Sequence, residues 1–271
     1  MAHVVLITGA GSGMGRLTAS YLAENGYIVY AGSRRASELK TGENLHPIYL
    51  DVTDSESIQD AVSTIINEQG KINVLVNNAG YGLLATVEDG TDEEMFDQFN
   101  VNVFGLLRMT REVLPYMRKA QQGIIINISS FLGKMGLPLL THYNASKYAV
   151  EGITDSLRFE TLPFNIRVHS IQSGLFGTNF VREGLVTNTA TISEDSPYKN
   201  LVDHFVPVVA GAINDGPHPQ PIAEAIQEII ENEDADIFVP VGGEATTFIP
   251  LRKELSDKAF EQKVKETFGI G

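Results

Sequence analysis

The stretch Val4-Val5-Leu6-Ile7-Thr8-Gly9-Ala10-Gly11-Ser12-Gly13-Met14-Gly15 decides the fold of this chain. The apolar run predicts a buried strand, the glycines predict a tight turn, and Leu17, Tyr21 and Leu22 then recur with a helical period. Glycines in such a turn let the backbone come close to a pyrophosphate, which lies at the N-terminus of the following helix. The stretch therefore predicts a nucleotide site, whose expected contacts are Thr8, Gly9, Ser12, Gly13, Met14 and Gly15.

The alternation of strand and helix continues along the chain. Apolar runs that predict strands recur at 27–32, 48–50, 72–76, 123–128, 166–171 and 237–239, and helical patterns separate them. The longest helical patterns run over 91–118 and 143–163. We therefore expect an α/β fold, a Rossmann-like, doubly wound parallel sheet of about seven strands with helices on both faces. The absence of a linker predicts a single domain that spans residues 1–271.

The bulk composition excludes several classes of function. The 271 residues carry 20 Lys and Arg against 34 Asp and Glu, which gives a formal net charge of −14. This excess of negative charge argues against nucleic acid and an anionic membrane surface as partners. The absence of cysteine excludes disulfides and thiol chemistry, and no metal site is predicted. The N-terminus lacks a basic region and no apolar run approaches a membrane span, so a cytoplasmic location is expected.

The residues at the end of the second predicted strand indicate which nucleotide is bound. In parallel sheets that bind NAD, an acidic residue here takes the ribose 2′-hydroxyl, whereas an arginine accommodates the 2′-phosphate of NADP. Ser33 stands where the acid is expected, and Arg34, followed by Arg35, is the leading candidate for the phosphate contact. The alternative is a solvated arginine pair. The sequence therefore favours NADP(H), with NAD(H) as the second choice.

Polar residues also follow the third and fourth predicted strands. Asp51, with Val52 beside it, lies at the carboxyl end of a strand and therefore faces the ligand crevice of such a sheet. The alternative role of its carboxylate is to cap the next turn or helix. The fourth strand ends in Asn77-Asn78-Ala79-Gly80. Paired asparagines there lock neighbouring strands, line a cofactor pocket or form a plain turn, and the local sequence does not separate these alternatives.

A tyrosine and a lysine one helical turn apart suggest acid–base chemistry. Tyr143 and Lys147 share one face of the helix predicted from residue 143. A nearby ammonium favours the phenolate, so the pKa of Tyr143 is expected below its reference of about 10. Such a phenol can give a proton to a reacting oxygen, which a hydroxyl such as that of Ser130 can hold in place. The spacing is common in helices and is weak evidence when taken alone.

Two further features concern the long helix and the last third of the chain. Asn102 lies in an apolar stretch of the 91–118 helix, where a polar side chain needs partners or serves a bend. Residues 179–217 lose clear periodicity, which is typical of a lid or a substrate loop. Their apolar side chains favour a hydrophobic substrate. A charged C-terminal helix is expected at about 252–268.

Taken together, these motifs resemble the short-chain dehydrogenase/reductase family of NAD(P)-dependent oxidoreductases. The resemblance covers at least residues 3–178 and rests on motifs in the family's order, namely Thr8-Gly9, Gly13, Gly15, Asn77-Asn78-Ala79-Gly80, Asn102, Ser130, Tyr143 and Lys147. It implies hydride transfer between NADP(H) and a small-molecule ketone or aldehyde and its alcohol. Among subgroups, the chain is loosely similar to bacterial relatives of 17β-hydroxysteroid and retinol dehydrogenases.

The resemblance also implies a role for each motif residue. Tyr143 is the expected general acid/base, Lys147 lowers its pKa and binds the nicotinamide ribose, and Ser130 holds the substrate oxygen. Asn102 is expected to support a water relay to Lys147. Contacts to the adenine, the adenosine ribose and the carboxamide are expected from Asp51, Asn78 and Thr178, respectively.

One departure from the family pattern concerns the loop after the sixth predicted strand. Ser173-Gly174 stands where the family usually has Pro-Gly, so the chain is expected to turn on Gly174 with a differently shaped nicotinamide pocket.

Family members usually assemble through the two long helices, so a homodimer or homotetramer is expected. The rival functions are an NADP(H)-binding regulator or redox sensor without turnover, and an epimerase or dehydratase. The last two usually have longer chains with a separate substrate domain.

Overall fold

A parallel sheet forms the centre of the computed structural model, which describes residues 2–178 and 180–270. The strands are β1 (Val4–Ile7), β2 (Ile28–Ser33), β3 (Leu45–Tyr49), β4 (Val74–Asn77), β5 (Gly82–Leu84), β6 (Gly123–Ser130), β7 (Ile166–Ser173), β8 (Leu185–Thr187) and β9 (Phe238–Val241). Seven of them form the main sheet, while β5 and β8 pair with each other.

Helices connect these strands. They are α1 (Gly13–Glu24), α2 (Ser55–Gln69), α3 (Asp92–Phe99), α4 (Leu106–Ala120), α5 (Thr141–Thr161), α6 (Lys199–Asn214), α7 (Gln220–Glu231), α8 (Gly243–Glu254) and α9 (Asp257–Phe268). Their ends follow local chemistry. For example, Asp54 caps α2 by accepting a hydrogen bond from the Glu56 backbone, and Gly70 ends this helix with a φ of 72°. Within the described ranges, no helix is long and apolar enough to span a bilayer.

The main sheet runs in the order β3-β2-β1-β4-β6-β7-β9, and its neighbouring strands are parallel. The strand order reverses between β1 and β4, so the loops after these two strands diverge and leave a crevice at their carboxyl ends. The predicted Rossmann-like, doubly wound sheet is therefore confirmed. The strand predicted at 48–50 begins earlier, because Leu45 already pairs with Val29 of β2.

The two faces of the sheet are buried under different helices. Alternate side chains of β1 point to opposite faces. Val5 and Ile7 pack with residues of α1 and α7, whereas Val4 and Leu6 pack with residues of α2 and α4. All four side chains are fully buried. Strands buried on both faces appear in the sequence as continuous apolar runs, which is why they could be located there.

Replacing Ile125 with alanine should lower the free energy of unfolding by about 2–5 kcal/mol, because it leaves a cavity in a packed core. Ile125 lies in β6, is 0% exposed and belongs to the core on the α2–α4 side of the sheet. The matched control is Ile192→Ala, because Ile192 is 43% exposed. Shortening this exposed side chain should change the free energy of unfolding by about 0.5 kcal/mol at most. Urea denaturation measures both values, and equal losses would contradict this description of the core.

The two long helical patterns of the sequence differ in regularity. The pattern at 91–118 is interrupted, because α3 ends at Phe99 and a π-helical turn covers Asn100–Gly105 before α4 begins. The predicted helix is therefore confirmed, since the backbone is helical from Asp92 to Ala120, but a π-helical turn divides it. Asn102 lies in the π-helical turn, so a polar residue does mark the irregularity. The helix predicted at 143–163 begins two residues earlier, at Thr141.

The last third of the chain is more regular than the sequence predicts. The segment 179–217, expected to be irregular, contains β8 and the 16-residue helix α6. Pro207 and Gly211 obscure the helical pattern of α6, since both are poor helix formers. The helix predicted at 252–268 is instead two helices, α8 and α9. The backbone at Leu255 is extended, so α8 ends there. Ser256 is the N-cap of α9, because its side chain accepts a hydrogen bond from the Ala259 backbone N–H.

Residues 185–191 are attached beside the crevice by a two-stranded sheet and by the polar contacts that follow it. Strands β5 and β8 pair in parallel, with Leu83 opposite Val186. Polar contacts continue this pairing, because the Asn188 amide donates to Glu94 at 2.8 Å. Farther along, the buried Thr191 hydroxyl donates to a carboxylate oxygen of Asp89 at 2.9 Å. The segment that the sequence suggests as a substrate loop is thus attached to the main body at its start.

Candidate active site

A cleft of about 1000 Å³ opens at the carboxyl ends of the central strands, where the strand order reverses. Its lining includes most of the residues that the sequence predicts for cofactor binding and catalysis, namely Gly9, Ser12, Gly13, Met14, Gly15, Ser33, Arg34, Arg35, Asp51, Val52, Asn78, Ala79, Gly80, Tyr143, Lys147 and Thr178. Ser130 and Gly174 line a second cavity. Thr8 and Asn102 are buried in the surrounding structure.

The glycine turn after β1 packs tightly against the loop after β4. Gly9 has a φ of +66°, and a Cβ at this position would lie 2.7 Å from the Ala79 Cα. A Cβ at Gly15 would lie 2.3 Å from the Asn78 Nδ2. Side chains therefore do not fit at these positions, and the bare backbone of the turn lines the cleft. Such a backbone cradle at the start of α1 fits a nucleotide pyrophosphate.

Hydrogen bonds from Thr8 and Asn78 join these two loops. The Thr8 hydroxyl oxygen accepts from the Asn78 backbone N–H at 3.0 Å, and the Asn78 Nδ2 donates to the carbonyls of Thr8 and Gly9 at 3.0 and 3.1 Å. The Asn77 Nδ2 donates to the Asn127 Oδ1 of the neighbouring strand at 2.9 Å. Asn77 therefore locks two strands, while Asn78 joins the loops and lines the cleft.

The end of β2 presents a buried serine followed by two exposed arginines. The Ser33 Oγ accepts a hydrogen bond from the Arg35 backbone N–H at 3.0 Å. It also lies close to the glycine turn, because a Cβ at Gly11 would be 2.6 Å from it. Arg34 and Arg35 both line the cleft. The arrangement is compatible with a 2′-phosphate as the ligand at this end of the cleft.

Asp51 both caps a turn and lines the cleft. Its Oδ1 accepts hydrogen bonds from the backbone N–H and the hydroxyl of Thr53, at 2.9 and 2.7 Å. The residue is also part of the cleft wall. The two alternatives raised from the sequence are therefore compatible with each other.

Tyr143, Lys147 and Ser130 meet where α5 faces the end of β6. Burial raises the pKa of Tyr143 to about 12, and a hydrogen bond with Ser130 offsets part of this rise. The Lys147 Nζ lies 5.6 Å from the centre of the Tyr143 ring and donates to the Ile128 carbonyl at 2.8 Å. Burial lowers the pKa of Lys147 to about 8. The expected decrease in the Tyr143 pKa is therefore wrong, because desolvation of the phenolate outweighs the hydrogen bond with Ser130.

The Asn102 side chain is hydrogen-bonded to the loop after β4. Its Oδ1 accepts from the Tyr81 N–H at 3.0 Å, and its Nδ2 donates to the Tyr81 carbonyl at 2.9 Å and to the Ser146 hydroxyl at 3.1 Å. Ser146 precedes Lys147 in α5. These bonds therefore link the π-helical turn to the loop after β4 and to the helix that carries Lys147. The water relay from Asn102 to Lys147 stays a prediction.

An apolar chamber of about 210 Å³ adjoins the cleft. Tyr143, Ser173 and Thr178 line both cavities, while Ser130 and Gly174 line the chamber. The other walls are mainly apolar and include Leu84, Leu132, Leu137, Leu140, Phe180, Phe205, Val209, Ala210 and Ile213. Of the residues that the structure describes, none in this lining carries a charge. The chamber therefore suits an uncharged, apolar part of a ligand.

Ser173, which stands where a proline is expected, helps to link β6 and β7. Its hydroxyl donates to the Ser129 carbonyl at 3.2 Å, and the Ser130 hydroxyl donates to the Ser173 carbonyl at 3.4 Å. The next residue, Gly174, donates its N–H to Val241 of β9 at 2.7 Å. The serine thus adds a hydrogen bond between strands, directly beside the hydroxyl of Ser130.

Two residues of the site were not predicted from the sequence. Phe180 lines both cavities, and its ring centre lies 6.2 Å from that of Tyr143. It belongs to the apolar segment expected to form a substrate loop, but without periodicity nothing in the sequence marked this residue as part of the site. Glu151 is buried one turn beyond Lys147. Burial lowers the pKa of Lys147 and the charge of Glu151 counteracts this shift, so the four-residue spacing was a usable signal.

Several known proteins are similar to this chain in sequence and fold. Residues 3–188 match the short chain dehydrogenase family. A 3-ketodihydrosphingosine reductase of Bacteroides thetaiotaomicron is 41% identical over 240 residues, which are 89% of this chain and 88% of that protein. The crystal structure of a short-chain dehydrogenase from Streptomyces avermitilis matches with a TM-score of 0.84 and 31% identity, over 100% of this chain and 99% of that chain. A short chain dehydrogenase from Burkholderia cenocepacia in complex with NADP matches with a TM-score of 0.76 and 26% identity, over 97% of each chain.

Proposed function

The chain belongs to the short-chain dehydrogenase/reductase family, and from this premise we propose that it is an NADP(H)-dependent oxidoreductase that interconverts a ketone or aldehyde with its alcohol. The proposed substrate is hydrophobic. The observation that carries the proposal is the position of Tyr143, whose side chain lines both the large cleft and the apolar chamber. A substrate carbonyl at this junction would face the phenol while its apolar part fills the chamber.

The large cleft fits a nicotinamide dinucleotide. The glycine turn brings bare backbone and the N-terminus of α1 to the cleft, which favours a pyrophosphate. When bound, the dinucleotide supplies or accepts the hydride. Arg34 and Arg35 supply positive charge for a 2′-phosphate, and Ser33 lacks the carboxylate that a 2′-hydroxyl would prefer. We therefore assign the preference to NADP(H) rather than NAD(H).

Tyr143 is the proposed proton donor in the reducing direction. Burial raises its pKa to about 12, so the phenol stays protonated at neutral pH and can donate to the carbonyl oxygen. Ser130 lines the chamber beside Tyr143, so its hydroxyl can hold the same oxygen. Lys147, which is charged below its pKa of about 8, stabilises the phenolate that remains after the transfer.

The substrate class that we assign is a ketone with a long apolar chain. The apolar walls of the chamber come from α6 and from the loop at 131–140, and they favour an aliphatic chain. The Bacteroides relative supports this assignment, because the name 3-ketodihydrosphingosine reductase describes a ketone on a long-chain lipid.

Replacing Ala210 with phenylalanine should lower kcat/KM for a long-chain ketone by about tenfold, because the ring would occupy the chamber. Ala210 lies on α6 and lines this chamber but not the large cleft. The affinity for NADPH should therefore be unchanged. Ala212→Phe is the matched control, since Ala212 is exposed on the same helix. Kinetics with ketones of increasing chain length measure the effect, and an equal loss in both variants would contradict the assigned chamber.

Oxidation of NADPH across a carbonyl panel tests the proposed function. The panel contains long-chain 3-keto lipids, steroids, retinoids, aryl ketones and 3-oxoacyl thioesters, each with NADPH and with NADH. We expect turnover with NADPH and an apolar ketone. Tight NADPH binding without turnover of any carbonyl would refute the proposal and support a nucleotide-binding regulator or redox sensor instead.

A further inference from the structure

A buried carboxylate lies one helical turn beyond Lys147. Glu151 is 4% exposed, and both of its oxygens are hydrogen-bonded. The Oε1 accepts from the Ser170 hydroxyl at 2.6 Å, and the Oε2 accepts from the Gln172 amide at 2.6 Å. The Lys134 Nζ lies 3.0 Å from the same Oε2. A buried charge is tolerated when it is paired and hydrogen-bonded, and Glu151 meets both conditions.

Glu151 joins the helix of Tyr143 and Lys147 to a neighbouring strand and to the turn that follows Ser130. It shares α5 with Lys147, its two neutral hydrogen-bond donors belong to β7, and Lys134 follows the turn after Ser130. The backbone of that turn packs closely on α5. A Cβ at Gly133 would lie 2.9 Å from the Glu151 Cγ and 3.0 Å from the Lys147 carbonyl oxygen. A change at Glu151 therefore acts where this turn and β7 pack against the helix that carries Lys147.

The two lysines near Glu151 differ in burial. Lys147 is buried and its Nζ is held by the Ile128 carbonyl. The Lys134 side chain is 35% exposed and lies over the Phe238 ring at 4.9 Å. Water therefore screens the charge of Lys134 more strongly than that of Glu151. The two charges together produce a negative electrostatic potential at Lys147, which favours its ammonium form. Burial lowers the pKa of Lys147, and Glu151 counteracts that decrease.

From this geometry we propose that Glu151 is a positioning residue, whose buried carboxylate keeps the Lys147 side chain charged. The proposal rests on the role proposed above for Lys147 in the reductase. Without the carboxylate, burial and the charge of Lys134 would both disfavour the ammonium, so Lys147 would lose its proton more readily.

Apart from Glu151 and Lys134, the charged and titratable groups near Lys147 are the same in wild type and in the two variants that test the pair. Tyr143 lies on the same helix, and the cleft wall beyond it carries the charged residues Arg34, Arg35, Asp51, Glu94 and Asp97. The strands packed against α5 contribute the neutral groups Ser170 and Gln172 at this point. A difference between variants therefore reports on Glu151 and Lys134.

Glu151→Gln tests the proposal, because it keeps the size of the side chain and removes its charge. Lys147 is charged below its pKa, so a lower pKa brings the loss of charge to lower pH. We expect the alkaline limit of kcat/KM to move down by about one pH unit. Wild type and variant should be similar near pH 6 and differ about eightfold near pH 8.5 for a shift of that size.

A direct titration of Lys147 separates this proposal from the proposed function. Heteronuclear NMR of labelled lysine side chains follows its proton in the protein alone, with the signal assigned by its loss in Lys147→Met. We expect the titration midpoint to fall by about one pH unit in Glu151→Gln. A midpoint unchanged in that variant would overturn the role of Glu151, even if the protein reduces carbonyls. Absence of turnover in wild type would instead refute the proposed function.

Two companion variants distinguish a charge effect from structural damage. Lys134→Gln removes the positive partner, so it should move the Lys147 midpoint upward. Glu160→Gln makes the same chemical change on the exposed side of α5 and should leave the midpoint where it is. A downward shift in Lys134→Gln would overturn the proposal, because both variants would then act by disturbing the packing. Thermal unfolding of each variant verifies that the fold is retained.

Discussion

Tyr143→Phe should lower turnover by about a thousandfold, within the usual contribution of a general acid, while the affinity for NADPH stays nearly unchanged. The ring is kept, so its packing near Phe180 and its place between cleft and chamber are preserved. The hydroxyl is lost, and with it the proton that the carbonyl oxygen would receive. Steady-state turnover and fluorescence titration with NADPH measure the two effects separately.

Tyr148→Phe is the matched control for this experiment. Tyr148 lies on the same helix and is 47% exposed, so removal of its hydroxyl should change neither turnover nor affinity. Near-normal turnover in Tyr143→Phe would contradict the role of Tyr143 as the acid. A large loss of NADPH affinity in that variant would show that the hydroxyl serves the cofactor as well.

Arg34→Asp should reverse the preference between the two nicotinamide cofactors. A hydrogen bond to a charged group contributes about 1.5–3 kcal/mol, so its loss should lower kcat/KM for NADPH by about 10- to 100-fold. The new carboxylate would also repel a 2′-phosphate. The KM for NADH should fall, because a carboxylate at the end of this strand can accept a hydrogen bond from the ribose 2′-hydroxyl. Steady-state kinetics with both cofactors give the ratio.

Arg111→Asp controls for the change in net charge, because Arg111 is exposed on α4 and does not line the cleft. It should affect NADPH and NADH alike. An unchanged preference in Arg34→Asp would contradict the phosphate role of Arg34. The same exchange at Arg35, which also lines the cleft, would then show whether the neighbouring arginine holds the phosphate instead.

The composition of the large cleft could be predicted because it follows from local patterns. Parallel strands end at a common edge of the sheet, so the residues that follow them meet there whatever the rest of the chain does. Gly9, Arg34, Asp51 and Asn78 follow four different strands and line one cleft. Their roles toward a cofactor stay predictions, but their proximity was accessible from the sequence.

Protonation states were not accessible in the same way. The spacing of Tyr143 and Lys147 suggested a lowered tyrosine pKa, whereas burial raises it to about 12. The groups that exclude water from Tyr143 include Phe180 and the helix α6. Both lie in the segment 179–217, which the sequence pattern suggested to be irregular. A pKa depends on how many such distant groups close over a side chain, and a helical spacing contains no information about them.

By itself, the sequence determined the alternation of strands and helices, the glycine turn and the polar residues at the strand ends, because these depend on backbone conformation and on apolar periodicity over a few residues. Only the tertiary structure decided the apolar chamber and the setting of Lys147. The chamber walls come from segments as distant as Leu84, Leu137 and Phe205. Glu151 meets Lys134, Ser170 and Gln172 only after α5 has packed on the sheet. Burial and charge pairing are long-range properties, and they exist only once the chain has folded.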